Sequence, residues 1–74
     1  MGKTIYLPEY RSMLAKLKKA RREAGLTQKQ VAAKLKKTQS YISKIEHGQQ
    51  RIDVIELKSF ADLYKKKIDY FLSK

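Results

Sequence analysis

The segment from residue 25 to residue 48, GLTQKQVAAKLKKTQSYISKIEHG, constrains the fold of this chain more than any other part of it. Thr27 and Gln30 have the spacing of a capping box, in which each side chain accepts a hydrogen bond from the other residue's backbone N–H. A helix is therefore predicted to begin directly after Thr27. Thr38 can cap a second helix, and Gly48 is expected to end it. The segment predicts two short helices joined by a tight turn.

Each of these two helices has an apolar side and a polar side. The apolar residues recur at helical spacing, which predicts that they pack into a core; they are Val31, Ala32, Leu35, Tyr41, Ile42 and Ile45. The exposed positions of the second helix carry amides, hydroxyls and an ammonium group, on Gln39, Ser40, Ser43 and Lys44. Such groups read base edges or bind phosphates, so the second helix is a candidate nucleic-acid-reading element.

Three further helices are predicted, one before this segment and two after it. Pro8 can occupy the first helical position, and apolar spacing predicts a helix from about Glu9 to Ala24. The D-x-x-E pattern of Asp53 and Glu56 predicts the start of a fourth helix. We expect its buried side to consist of Val54 or Ile55 with Leu57, Phe60, Ala61 and Tyr64. Residues 68–72 form a last apolar turn, where Phe71 and Leu72 either close the core or face a second subunit.

The charge of the chain indicates a polyanionic partner. Eighteen Lys and Arg residues against seven Asp and Glu residues give a net charge of +11. Such a surface repels itself unless a polyanion neutralises it, so nucleic acid is the first candidate and an anionic membrane surface the second. The basic residues of the first helix, Arg11, Lys16, Lys18, Lys19 and Arg22, form either a solvated surface or a contact to a nucleic-acid backbone.

Composition bounds the class of protein. A chain of this length has room for one domain, residues 1–74, with residues 1–8 as a possible N-terminal arm. Cysteine is absent, and no 18-residue apolar run occurs. We therefore expect a soluble cytoplasmic protein. No membrane partner is expected either, because no stretch has the strongly amphipathic pattern, with an exposed Phe, Trp or Leu face, of a helix that lies on a membrane surface. His47 is the only histidine, so the sequence predicts no enzyme, metal site or cofactor, and no small-molecule ligand is evident.

The whole pattern resembles the helix-turn-helix of the phage Cro/repressor class, the XRE family. The resemblance rests on Leu26-Thr27-Gln28 at the start of the first motif helix, on Ala32 within it, and on the recognition-helix residues 40–46 followed by Gly48. It covers roughly residues 10 to 72. It implies an all-α, five-helix, lambda-repressor-like DNA-binding domain with a central helix-turn-helix.

Geometry and this resemblance together give an expected interface with double-stranded DNA. In helix-turn-helix proteins the start of the second motif helix enters the major groove. Gln28 is expected to bind a phosphate through its side chain and backbone N–H, because it lies at the positive end of a helix. Tyr41 either packs its ring or reaches a phosphate, and His47 either simply ends its helix or meets a phosphate. The expected DNA-binding residues are Gln28, Thr38, Gln39, Ser40, Tyr41, Ser43, Lys44, His47 and Arg51.

The resemblance also implies an ion pair and exposes two departures from the family. In the phage repressors an arginine of the first helix pairs with a glutamate near the end of the recognition helix, and the matching residues are Arg21 and Glu46. Lys36 stands where the family has a glycine in the left-handed conformation. A non-glycine residue in that conformation lowers stability by about 1 kcal/mol. Residues 65–67 are three lysines without the usual helix breakers, so the fourth helix either continues or ends unmarked.

The function that follows is sequence-specific DNA binding by a small transcriptional regulator, a repressor or control protein. A homodimer on a twofold operator is expected, because one short helix reads only a few base pairs. The alternative is an antitoxin-like or other protein-interaction module that uses the same fold.

Overall fold

A computed structural model describes residues 7–73, and within them it contains five α-helices and no strand. The helices are α1 (Pro8–Glu23), α2 (Gln28–Leu35), α3 (Gln39–Glu46), α4 (Val54–Tyr64) and α5 (Ile68–Leu72). The predicted all-α, five-helix architecture is confirmed. Most of the possible N-terminal arm lies outside the described residues.

The helices α2 and α4 begin at the predicted capping boxes. The Gln30 N–H donates to Thr27 Oγ1 at 3.1 Å, and the Thr27 N–H donates to Gln30 Oε1 at 2.9 Å, which completes the capping box of α2. Asp53 and Glu56 form the same box at α4, with distances of 2.7 and 2.9 Å. The first turns of both helices are therefore fixed by local sequence.

Four helices end in the same way, at a residue with positive φ. The N–H groups of that residue and of the next one donate to carbonyl groups in the last turn of the helix. Gly25 and Gly48 supply that residue after α1 and α3, each with φ of 74°. Lys36 and Lys65 supply it after α2 and α4, each with φ of 58°. Lys36 thus has the left-handed conformation expected of it, and α4 ends at Tyr64 without a glycine.

One hydrophobic core joins all five helices. α2 packs on α3, while α1 packs on α3, α4 and α5. The buried apolar residues are Met13, Leu14, Leu17, Ala20, Val31, Ala32, Ile42, Ile45, Leu57, Phe60, Ala61, Tyr64 and Phe71. Between the two alternatives for the last turn, Phe71 closes the core, being only 1% exposed, whereas Leu72 is 60% exposed.

The expected burial of Val54 or Ile55 is wrong. Their exposed fractions are 64% and 70%, although the rest of the predicted apolar side of α4 is buried. The physical reason is position, since both residues lie in the first turn of α4, outside the core that begins at Leu57. In the described part of the chain, no helix is long and apolar enough to cross a membrane.

Candidate nucleic-acid interface

The inner side of α3 fixes the helix against the core. Ile42 and Ile45 are fully buried, and Glu46 is 5% exposed and is the one buried charged residue in the part of the chain that the structure describes. Thr38 Oγ1 accepts a hydrogen bond from the Tyr41 N–H at 3.0 Å and so caps the start of the helix. Two turns of helix are thereby held with a defined rotation about their axis.

That rotation leaves a row of polar residues exposed on the outer side. Ser40, Lys44 and His47 recur at spacings of four and three residues, which places them on one face, and Gln39 lies beside its start. Within residues 7–73, the side chains of Gln39 and Ser40 form no hydrogen bond, and Lys44 forms neither a hydrogen bond nor an ion pair. Their amide, hydroxyl and ammonium groups are available to an external partner.

His47 and Ser43 contact each other at the end of this row. His47 Nδ1 lies 2.8 Å from the Ser43 carbonyl oxygen and 3.3 Å from Ser43 Oγ. Because a carbonyl only accepts, Nδ1 carries the proton and donates. The other ring nitrogen, Nε2, remains for a ligand, while Ser43 is half-buried behind the ring.

Tyr41 packs its ring and uses its hydroxyl within the chain. Its ring packs against the core, with Lys37 Nζ 5.1 Å from the ring centroid, and its hydroxyl donates to the Glu56 carboxylate. Burial, followed by that hydrogen bond, raises the pKa of Tyr41. The hydroxyl of Tyr41 thus has a partner within the chain and lies beside an anion.

Arg21 and Glu46 form the ion pair that the resemblance implies. Arg21 Nε lies 2.7 Å from Glu46 Oε2, and Nη2 lies 3.2 Å from Oε1. Nη1 also donates to the Leu26 carbonyl at 3.0 Å. The hydrogen bond to Glu46 raises the pKa of Arg21. This bidentate contact ties α1 to the end of α3 and, through Leu26, to the start of the motif.

Gln28 has a role that sequence reasoning missed. Its Nε2 donates to Glu46 Oε1 at 3.0 Å, so the side chain expected on a phosphate instead supports the ion pair. Gln28 still stands at the start of α2, where the first N–H groups have no partner inside the helix. No spacing rule marks a contact between residues 18 positions apart, so the sequence offered no signal for it.

Tyr64 lies beneath this cluster. Tyr64 is 5% exposed, and its hydroxyl has no hydrogen-bond partner among residues 7–73. Burial raises the pKa of Tyr64, and the neighbouring Glu46 carboxylate adds to the effect. The hydroxyl is therefore a buried polar group without compensation.

Arg51 stands apart from the α3 row. It is exposed in the segment between α3 and α4, just before Ile52, whose N–H donates to Tyr10 Oη at 3.0 Å. The structure therefore brings Gln39, Ser40, Lys44 and His47 together on α3 and leaves Arg51 on a separate loop. Among the described residues, no cluster of His, Cys, Asp or Glu could hold a metal ion.

Comparison with known proteins gives one match. A family model described as helix-turn-helix matches residues 17–71, from the middle of α1 to α5. No curated protein and no solved structure matches the chain.

Proposed function

Because the chain belongs to the helix-turn-helix family of the Cro/repressor (XRE) type, whose members are DNA-binding transcription regulators, we propose that it reads a specific sequence in double-stranded DNA as a small repressor or control protein. In such proteins the second motif helix enters the major groove and the first crosses the backbone. α3 and α2 take these two roles here.

The exposed row on α3 is the observation that carries the proposal. Within residues 7–73 its Gln39, Ser40 and Lys44 side chains have no partner, and the opposite side of the helix is fixed by Ile42, Ile45 and the Glu46 ion pair. We assign Gln39 and Ser40 to the first bases in the groove and Lys44 to bases one turn further along. Gln pairs with adenine and Lys with guanine, each good contact giving about 1–3 kcal/mol of discrimination.

Phosphates hold the helix in register. The free N–H groups at the start of α2 attract a phosphate, with Gln28 positioned there by its bond to Glu46. The Thr38 hydroxyl, Arg51 and, with a proton on Nε2 as well as on Nδ1, the ring of His47 donate to further phosphates, while Ser43 positions His47. Sequence preference then comes from α3, and affinity comes largely from these contacts.

A homodimer on a twofold operator completes the proposal. Val54 and Ile55 are large, apolar and exposed at the start of α4, where the contact between Tyr41 and Glu56 joins α4 to the start of α3. A second copy packed there would present a second reading helix beside the first. The chain measures 30 × 23 × 19 Å, which fits two copies on half-sites about 34 Å apart.

Selection of bound sequences from a random duplex pool tests the proposal. We expect an enriched, twofold-symmetric site whose binding constant falls steeply with salt, by about 0.9 log units per phosphate contact for each log unit of salt. Gln39→Ala and Lys44→Ala should each relax preference at one or two positions, whereas Lys58→Ala, on the exposed side of α4, should not.

Absence of an enriched site, or weak salt dependence, would contradict DNA reading and favour the protein-interaction alternative. If the Gln39→Ala protein selected the same site with the same stringency, the placement of α3 in the groove would be wrong.

A further inference from the structure

A basic groove runs beside the proposed reading face. It has a volume of about 910 Å³ and lies between the outer side of α1 and the end of α3 with its following turn, residues 46–49. Its α1 wall carries four cationic side chains, Arg11, Lys18, Lys19 and Arg22, and Leu14 and Ala15 also line it. The walls come from segments more than 20 residues apart in sequence, so the groove is a product of the tertiary fold.

The carboxylates of this groove are neutralised by other residues. Glu46 is bonded to Arg21 at 2.7 Å, and Glu23 lies 3.5 Å from Lys66. None of the four α1 cations has a carboxylate partner within residues 7–73. The groove is therefore strongly positive and its charge is not compensated within the described chain.

The cations are arranged as a row. Arg11, Lys18 and Arg22 follow at spacings of seven and four residues, which places them on one stripe of α1 about 16 Å long. Like charges four residues apart, such as Lys18 and Arg22, destabilise a helix. A bound anion would remove that repulsion. Cations spread along such a row match an extended polyanion better than a single phosphate group.

The groove continues the face that we assign to DNA. The exposed row of α3 ends at His47, and His47 is also part of the groove wall. A duplex whose bases contact Gln39 and Lys44 would therefore bring its backbone past His47 toward the α1 row. DNA carries one negative charge per about 1.7 Å of axis, so the row faces several phosphates.

We propose that this groove binds the phosphodiester backbone of the duplex outside the base pairs that α3 reads, and so extends the DNA site on the outer flank of each half-site. The inference rests on the proposed function. It assigns the α1 cations to direct backbone contact rather than to a solvated surface.

The test compares two duplexes and two variants. One duplex ends at the outermost base pairs read by α3, and the other extends about 10 base pairs of arbitrary sequence beyond each end. Lys18→Gln/Arg22→Gln removes two groove charges. Lys58→Gln/Lys67→Gln is the matched control, because it removes the same charge from exposed positions outside the groove.

We expect Lys18→Gln/Arg22→Gln to weaken binding to the long duplex roughly tenfold near 0.1 M salt and to reduce the salt slope by up to about 2. Binding to the short duplex should match that of the control variant. Thermal unfolding should show no loss of stability, since the substitutions relieve like-charge repulsion.

Equal losses on the two duplexes, or equal losses in the two variants, would overturn the inference, because net charge alone would then explain them. Tight binding of ATP or inorganic triphosphate that the groove variant abolishes, with no preference for the long duplex, would also overturn it in favour of a free phosphate ligand. If the wild-type protein binds neither duplex, the proposed function itself fails.

Discussion

Lys36 and Lys65 have the backbone conformation that glycine provides after α1 and α3. A left-handed conformation costs a residue with a Cβ about 1–2 kcal/mol, and a cation at a helix C-terminus returns only about 0.3–1 kcal/mol. The two lysines therefore carry a net cost in stability. The resemblance correctly predicted a left-handed residue at the end of α2, although the family has glycine there and this chain has Lys36. The position in the motif, rather than the residue type, therefore determines the backbone conformation.

Tyr64 and Tyr41 form a natural pair for a test of hydrogen-bond energetics. Each hydroxyl is removed by a change to Phe, but the Tyr64 hydroxyl is unpartnered while that of Tyr41 donates to Glu56. Tyr64→Phe should leave the free energy of unfolding unchanged or raise it. Tyr41→Phe should lower it by about 0.5–1.5 kcal/mol. Urea unfolding at neutral pH measures both, and an equal loss in the two variants would contradict the assigned contacts.

The same tyrosines predict the behaviour in alkali. A tyrosine in the unfolded chain ionises near pH 10, whereas the folded protein holds the pKa of Tyr41 and Tyr64 above that value. The stabilisation is complete below pH 10 and is lost as the pH rises further, because only the unfolded state then releases the protons. Both Phe variants should therefore lose less stability above pH 10 than the wild type does.

Among the elements, α3 is joined to both α1 and α2 by one buried carboxylate. Glu46 accepts from Arg21 on α1 and from Gln28 on α2, so one residue fixes the orientation of three helices. The side chain of Glu46 is 1% exposed and that of Arg21 is 12% exposed. In such burial the ion pair sets geometry more than it adds stability.

Removing one partner of the Arg21–Glu46 pair should lower the free energy of unfolding far more than removing both. Arg21→Met leaves a buried anion with one remaining amide donor, and we expect it to lower the free energy of unfolding by about 3–5 kcal/mol. Arg21→Met/Glu46→Met should recover much of that loss. Equilibrium unfolding of the single and double variants decides the matter. The expectation would be contradicted by a single variant whose free energy of unfolding is within about 1 kcal/mol of wild type. A double variant as unstable as the single one would also show that the two residues are not energetically coupled.

The elements were more predictable than the contacts between them. Capping boxes at Thr27 and Asp53 act over three residues, so the sequence contains all the information that they need. The bond from Gln28 to Glu46 and the groove beside α1 depend on how helices pack, which no local pattern specifies. The predicted burial of Val54 was wrong for the same reason. Its helical spacing places it on the apolar side of α4, but the core does not extend to that turn.

At the scale of the whole molecule, two exposed apolar sites on the described helices are candidates for the proposed dimer contact. Val54 and Ile55 form one, and Leu72 forms the other. We expect Ile55→Lys to weaken self-association and to remove cooperative binding to a twofold site, because it places a charge in the proposed contact. Leu72→Lys adds the same charge and should leave both unchanged.

Sedimentation equilibrium measures this difference, with binding to an isolated half-site as a check that each subunit remains folded. A loss confined to Leu72→Lys would move the dimer contact to α5. Phe71 is unsuitable for such an experiment, because it is buried in the core and its replacement would unfold the chain.

The docking of α5 has a consequence for the order of folding. α2 and α3 are neighbours in sequence and pack on each other, so the motif can form from local contacts soon after it is synthesised. Phe71 fills the core from α5, which leaves the ribosome after the other four helices. Until then the part of α1 that packs on α5 remains uncovered. Competence to bind DNA is therefore expected to arise after, rather than during, synthesis of the motif that reads it.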